Sequence, residues 1–116
     1  MKKIFYLSSC STCKRIMSEI PNLSDFELQD IKKETITEQQ LDDLAAVAGS
    51  YEALFSRKSQ QFRPKGYHEK VMTESDYRNA ILEEYTFLKR PVVVVEDQLF
   101  VGNSKETVEQ LLQYLV

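Results

Sequence analysis

Cys10 and Cys13 are the two cysteines of this 116-residue chain, and their spacing limits what they can do. Two thiols three residues apart cannot tie down a distant loop, so a structural disulfide framework is not expected. A zinc site takes about four ligands, and the chain offers two thiols and a single histidine, His68, far from them in sequence. No spacing of the carboxylates suggests that they complete such a site, so no metal is expected. What remains is redox or nucleophilic sulfur. The thiolate is the reactive form, and a helix start lowers a thiol pKa from its reference of about 8.5 by offering unpaired N–H groups and a positive dipole end. Lys14 and Arg15 add positive charge close by in sequence. The spacing therefore makes Cys10 the attacking thiol and puts Cys13 one helical turn further on, where it can resolve a sulfur adduct. Inert packing of small hydrophobic side chains stays open as the alternative, more so for Cys13 than for Cys10.

Such a cysteine needs a strand to deliver it and a helix to receive it. Ile4–Leu7 is a continuous apolar run, the pattern of a central strand covered on both faces. The polar stretch from Ser8 to Thr12 follows, in which Ser11 or Thr12 can cap a helix whose apolar face is Ile16, Met17 and Ile20 and which Pro21 ends. Alternation at Phe26, Leu28 and Asp30 predicts a second strand over 26–30. Thr37 with Gln40 reads as a capping box, and Ile36 with Leu41 as its hydrophobic staple. The helix they open carries Leu41, Leu44, Ala45 and Ala48 and closes at Gly49. A shorter helix is expected from Ser50, with Arg57 at its end. Thr73 caps another, with Tyr77, Ala80, Ile81, Tyr85 and Leu88 on its inner face. After Arg90–Pro91, Val92–Val95 is a strongly biased strand. The residues 96–98 turn it into a strand over 99–101, and Ser104 caps a last helix with Val108, Leu111, Leu112 and Leu115 buried. The order is βαβ, three helical segments, then ββα. This predicts an α/β fold on a mixed four-stranded sheet, parallel across the first crossover and antiparallel across the short hairpin.

Composition excludes several classes. The formal net charge of −3 does not support direct nucleic-acid binding. The opening MKKIFYLSS is too short and too polar for a signal peptide, and no apolar run, Val92–Val95 included, could span a bilayer, so neither membrane insertion nor export is expected and the protein reads as cytoplasmic. The chain length fits one domain over residues 1–116. The 57–70 segment is basic, with Arg57, Lys58, Arg63, Lys65 and Lys70 against Glu69. It reads either as a solvated loop or as a surface for an anionic partner. Ser8, Ser9, Ser11 and Thr12 could donate to an adduct or an anion, or serve the backbone.

The segments IFYLSSCSTCKR, PxxLxxF...DIKKE, the isolated Arg57, LKRPVVVVEDQLFVGN and the terminal amphipathic helix occur in an order that resembles the ArsC/Spx family. The resemblance implies a thioredoxin/glutaredoxin-like sheet with a mainly helical insertion over 32–88, the nucleophile at Cys10, and a usually cis proline at Pro91. Family arsenate reductases form an arseno-cysteine adduct, with glutathione as co-substrate and glutaredoxin as partner. Three arginines manage the oxyanion through paired, charge-assisted hydrogen bonds. The first two match Arg57 and Arg90, while the third position falls near Asn103, a neutral donor that also reads as part of a turn. Arg57, Arg90, Pro91, Asn103, Ser11 and Thr12 are thus the candidate substrate- or anion-binding residues beside Cys10 and Cys13. No tightly bound cofactor is implied, and glutaredoxin or thioredoxin would return the thiol. The resemblance leaves two readings. One is a thiol-dependent reductase of an oxyanion or a glutathione mixed disulfide, including a YffB-like branch. The other is an Spx-like redox regulator that uses CxxC as a switch and binds the RNA polymerase alpha subunit. The Gly49-to-Arg57 spacing is compatible with the latter, although Gly49 is equally a helix cap.

Overall fold

The computed structural model describes residues 1–116. In chain order its elements are β1 (Lys2–Tyr6), α1 (Ser11–Ser18), β2 (Glu27–Asp30), α2 (Glu38–Ala48), α3 (Glu74–Glu83), β3 (Val92–Val95), β4 (Gln98–Val101) and α4 (Lys105–Leu115), with single 3-10 turns between several of them. The sheet order is β2-β1-β3-β4. β1 runs parallel to β2 and antiparallel to β3, and β3 pairs antiparallel with β4. The two unbroken apolar runs are thus the two central strands. A central strand is covered on both faces and has no solvent side to make polar, whereas β2 and β4 are edges.

Residues 1–34 and 90–116 form one compact unit. Its core joins Ile4, Val93 and Val95 of the sheet to Ile16 and Met17 of α1, Ile20, Phe26 and Leu111 of α4, with Val108, Leu112 and Leu115 packed around them. The apolar stripes expected of α1 and α4 are the ones buried here. Ser104 caps α4 by accepting the Thr107 N–H at 3.1 Å. No helix is long and apolar enough to cross a membrane.

Residues 35–89 form the other compact unit. Both halves of the Thr37–Gln40 capping box are made, and α2 ends on Gly49 at φ 97°. A Cβ there would meet nothing within 4 Å, so the glycine serves the left-handed backbone and not close packing. Thr73 and Asp76 form a second reciprocal box at the start of α3. Arg78 of α3 grips Asp42 of α2, Nε to Oδ1 at 2.8 Å, and the core is aromatic, with Phe55 stacked on Phe87 at 5.0 Å between centroids and edge-on to Tyr77 at 5.0 Å.

Four local expectations are corrected. Cys10, not Ser11 or Thr12, is the N-cap of α1, because its extended backbone ends the loop one residue earlier than the hydroxyls suggest. The helix expected from Ser50 shrinks to one 3-10 turn over Glu52–Leu54. Phe55 instead extends to bridge Leu88, the Ser56 N–H bonding to the Phe87 carbonyl at 2.7 Å, so Arg57 follows an extended segment and not a helix end. The helix from Thr73 stops at Glu83, and Tyr85–Phe87 forms a separate turn, which frees Leu88 for that bridge. The hairpin loop is Glu96–Asp97, with Gln98 already in β4 and Glu96 at φ 55°, the positive φ that two-residue hairpin turns call for.

Candidate functional site

Cys10 leaves β1 through a turn in which its N–H bonds to the Leu7 carbonyl at 3.0 Å, and its own carbonyl accepts the Lys14 N–H at 3.2 Å as the first helical bond of α1. It is half-buried, and both cysteines are free thiols. Cys10 occupies the N-cap position, and its side chain makes no capping hydrogen bond of ordinary geometry. Burial works against ionisation of Cys10. It is outweighed by the Cys13 backbone N–H, then by the Cys13 thiol and by the hydrogen bond and charge of Arg90, so the Cys10 thiol lies below its ordinary pKa. An N-cap donor set and one guanidinium thus hold the thiolate. Lys14 and Arg15 are exposed and are not among the groups that stabilise it. The cation that does so lies some 80 residues on in sequence.

Cys13 is fully buried. Burial first, and then the charge and hydrogen bond of Cys10, push its thiol up to about 11. At neutral pH Cys13 is therefore a protonated thiol that can donate to the Cys10 sulfur. Two of the causes that raise it belong to the Cys10 anion. Both vanish when Cys10 sulfur enters a covalent bond, and the Arg90 charge, which lowers Cys13, remains. Adduct formation itself therefore moves Cys13 toward its nucleophilic form.

The Arg90–Pro91 bond is cis and opens β3. The turn after β4 binds this segment: the Gly102 N–H bonds to the Pro91 carbonyl at 2.9 Å, and Asn103 Nδ2 donates to the Arg90 carbonyl at 3.3 Å. Asn103 thus positions the backbone of the cation and is exposed itself. Pro91 is buried, Ser11 exposed and Thr12 half-buried, the last two occupying the first turn of α1.

A contributor the sequence did not single out is Asp30, at the carboxyl end of β2. It is buried, and its Oδ1 accepts the Ser8 N–H at 3.4 Å and the Lys32 N–H at 3.2 Å. The Ser8 hydroxyl and these N–H groups hold its carboxyl below the usual range. A lowered carboxyl stabilises the fold above its unfolded pKa, and that contribution is lost as pH falls through the lowered value. Its alternation signal read only as strand; an acidic residue at the carboxyl end of a strand parallel to β1 was the clue to a tether on the loop leading to Cys10. Asp30→Ala should cost about 1–2 kcal/mol by leaving two N–H groups unpaired, and Asp30→Asn less, since one acceptor oxygen survives. Urea unfolding of the two variants checks the order.

Arg57 belongs to residues 35–89. Its Nη2 donates to Glu52 Oε2 at 3.0 Å and to the Tyr77 hydroxyl at 2.5 Å. The guanidinium lies 5.4 Å from the Tyr77 ring centroid. Tyr77, expected only to pack, is therefore also a polar partner. No group of three or more His, Cys, Asp or Glu side chains is placed to hold a metal ion.

Comparison with known proteins bears on the fold and the family. Solved structures resemble the chain over almost its full length. An ArsC family related protein from Bacteroides fragilis is 21% identical with a TM-score of 0.78, covering 95% of this chain and 96% of that one. Arsenate reductase from Vibrio cholerae is 16% identical with a TM-score of 0.78, over 97% and 95%. An arsenate reductase (ArsC) related protein from Brucella melitensis is 26% identical with a TM-score of 0.69, over 94% and 92%. No curated protein matches the sequence. These neighbours place the mixed sheet and its helices in the thioredoxin-like fold of their class. The match to the ArsC family runs over residues 5–111 and so takes in Cys10, Cys13, Arg57, Arg90 and Asn103 alike; the chain belongs to the ArsC family.

Proposed function

We propose that this chain is a thiol-dependent reductase in which Cys10 is the nucleophile. The observation that carries the reading is a half-buried thiol at a helix N-cap, held toward its anion by the Cys13 N–H and Arg90. With a disulfide substrate, the Cys10 thiolate attacks one sulfur, forming a mixed disulfide and expelling the other as a thiolate that takes a proton from water. Cys13, once deprotonated, attacks the Cys10 sulfur and releases the second substrate thiolate, leaving a Cys10–Cys13 disulfide. Two equivalents of glutathione, or a dithiol of glutaredoxin or thioredoxin, supply the two electrons that reopen it. With arsenate, Cys10 sulfur would bond to arsenic with loss of water; a glutathione thiolate would then attack the Cys10 sulfur, expelling arsenic with the bonding electron pair as arsenite and leaving a Cys10–glutathione mixed disulfide that a second thiol reopens.

A second reading is favoured by the same pair: a Cys10–Cys13 disulfide would remove the charge at the head of α1, and an Spx-like regulator would use that change to alter binding to the RNA polymerase alpha subunit. Steady-state assays separate the two. Protein and its single-cysteine variants are supplied with arsenate or a glutathione mixed disulfide, plus glutathione and glutaredoxin. The reductase reading expects turnover that requires Cys10, with Cys13→Ser keeping a glutathione-resolved remnant of about a tenth or more. Absence of turnover together with redox-dependent binding of the alpha subunit would replace it with the regulator.

A further inference from the structure

Arg57 faces a cleft of about 610 Å³ lined by Glu52, Phe62, Tyr67, His68 and Tyr77, among others. Within it the guanidinium is already engaged. Arg57 Nη2 bonds both to Glu52 Oε2 at 3.0 Å and to the Tyr77 hydroxyl, and that hydroxyl in turn donates to the same Glu52 oxygen at 3.3 Å. The three groups close a triangle, and the Phe55 ring lies 6.0 Å from the guanidinium carbon. Both bonds use Nη2, so the three hydrogens on Nε and Nη1 still give the fork a tetrahedral oxyanion would seek. Donor geometry is therefore not what opposes an oxyanion here. Charge is: a doubly negative ion approaching Arg57 meets a cation already balanced by a carboxylate 3.0 Å away.

We propose that Glu52 is a selectivity residue that holds the charge of Arg57 and so disfavours small oxyanions in this cleft. The inference rests on the reading, implied by the family resemblance, that Arg57 holds an anion, and it makes this cleft a poor one for arsenate-like ions. Glu52 and Arg57 side chains are about half exposed, at 55% and 51%, so solvent screens the pair and the effect is moderate, on the order of fivefold in affinity.

The test uses inorganic sulfate, a tetrahedral oxyanion with no redox chemistry on thiols, titrated at constant low ionic strength into the full-length protein. Chemical shifts of the Tyr77 and Phe62 rings report binding. Glu52→Gln should bind sulfate about fivefold more tightly than the native chain, Glu52→Ala should follow it, and the gain should disappear in the Glu52→Gln/Arg57→Ala double variant. If Arg57→Ala weakens sulfate binding but neither Glu52 variant strengthens it, the selectivity role is overturned while Arg57 keeps its anion role. Unchanged sulfate affinity in Arg57→Ala overturns both. A gain that persists in the double variant assigns it to general charge on the surface and also overturns the proposal.

Discussion

Cys10→Ser should reduce turnover of a glutathione mixed disulfide to the rate of the uncatalysed exchange, a loss of roughly 10³-fold or more, as removal of a covalent nucleophile does elsewhere. The serine hydroxyl is close to the thiol in size and is a favoured N-cap group for α1, so the fold should survive. That separates chemistry from structure: far-UV circular dichroism and the melting temperature should change little while activity disappears. A Cys10→Ser variant that turns over at the native rate would remove Cys10 from the reaction.

Arg90→Ala should have the next largest effect. Arg90 stabilises the Cys10 anion by a hydrogen bond and by its charge, and a hydrogen bond to a charged group is worth about 1.5–3 kcal/mol, or about 10- to 100-fold in rate when it acts on the reacting atom. The sign of the pH dependence follows. With Arg90 gone, Cys10 sulfur moves toward its ordinary pKa, so its alkylation profile shifts to higher pH, and the loss of rate is largest at neutral pH and narrows in alkali. Arg90→Lys should recover the charge and part of the rate, because an ammonium lacks the planar fork. Cys13 should respond in the opposite direction: Arg90 lowers it, so its removal makes the resolving thiol harder to ionise and slows the second step as well. Stopped-flow single turnovers, read separately for adduct formation and resolution, check both.

The parts of the fold that could be read from residues are those where one physical demand dominates. Ile4–Leu7 was legible as a central strand because nothing polar interrupts it, and Val92–Val95 as a strand because four β-branched residues follow one another. Thr37–Gln40 and Ser104 marked helix starts by their capping chemistry. The errors fall where a long-range contact overrides local preference. Ser50–Phe55 has helical spacing, but the bridge from Phe55 to Leu88 and the burial of the Phe55 ring draw it into extended backbone, and the same bridge ends the expected helix before Tyr85. The site divides in the same way. Cys10 was legible because its type, its neighbours and its place after a strand agree. Lys14 and Arg15 offered charge close by, but sequence proximity does not show which side chain turns toward the sulfur; Arg90, already among the candidate residues, is the cation that lowers its pKa. Asp30 and Glu52 were missed because each looks like ordinary surface charge until its bonding partners are placed.

The most direct measurement is the pH dependence of Cys10 alkylation by iodoacetamide in the reduced protein, with each cysteine followed separately by mass mapping. Sulfur at the head of α1 should become reactive at a pH below the ordinary thiol value of about 8.5, while Cys13 stays unmodified until well above it. A Cys10 that reacts only at or above pH 9, or a Cys13 labelled first, would contradict the account.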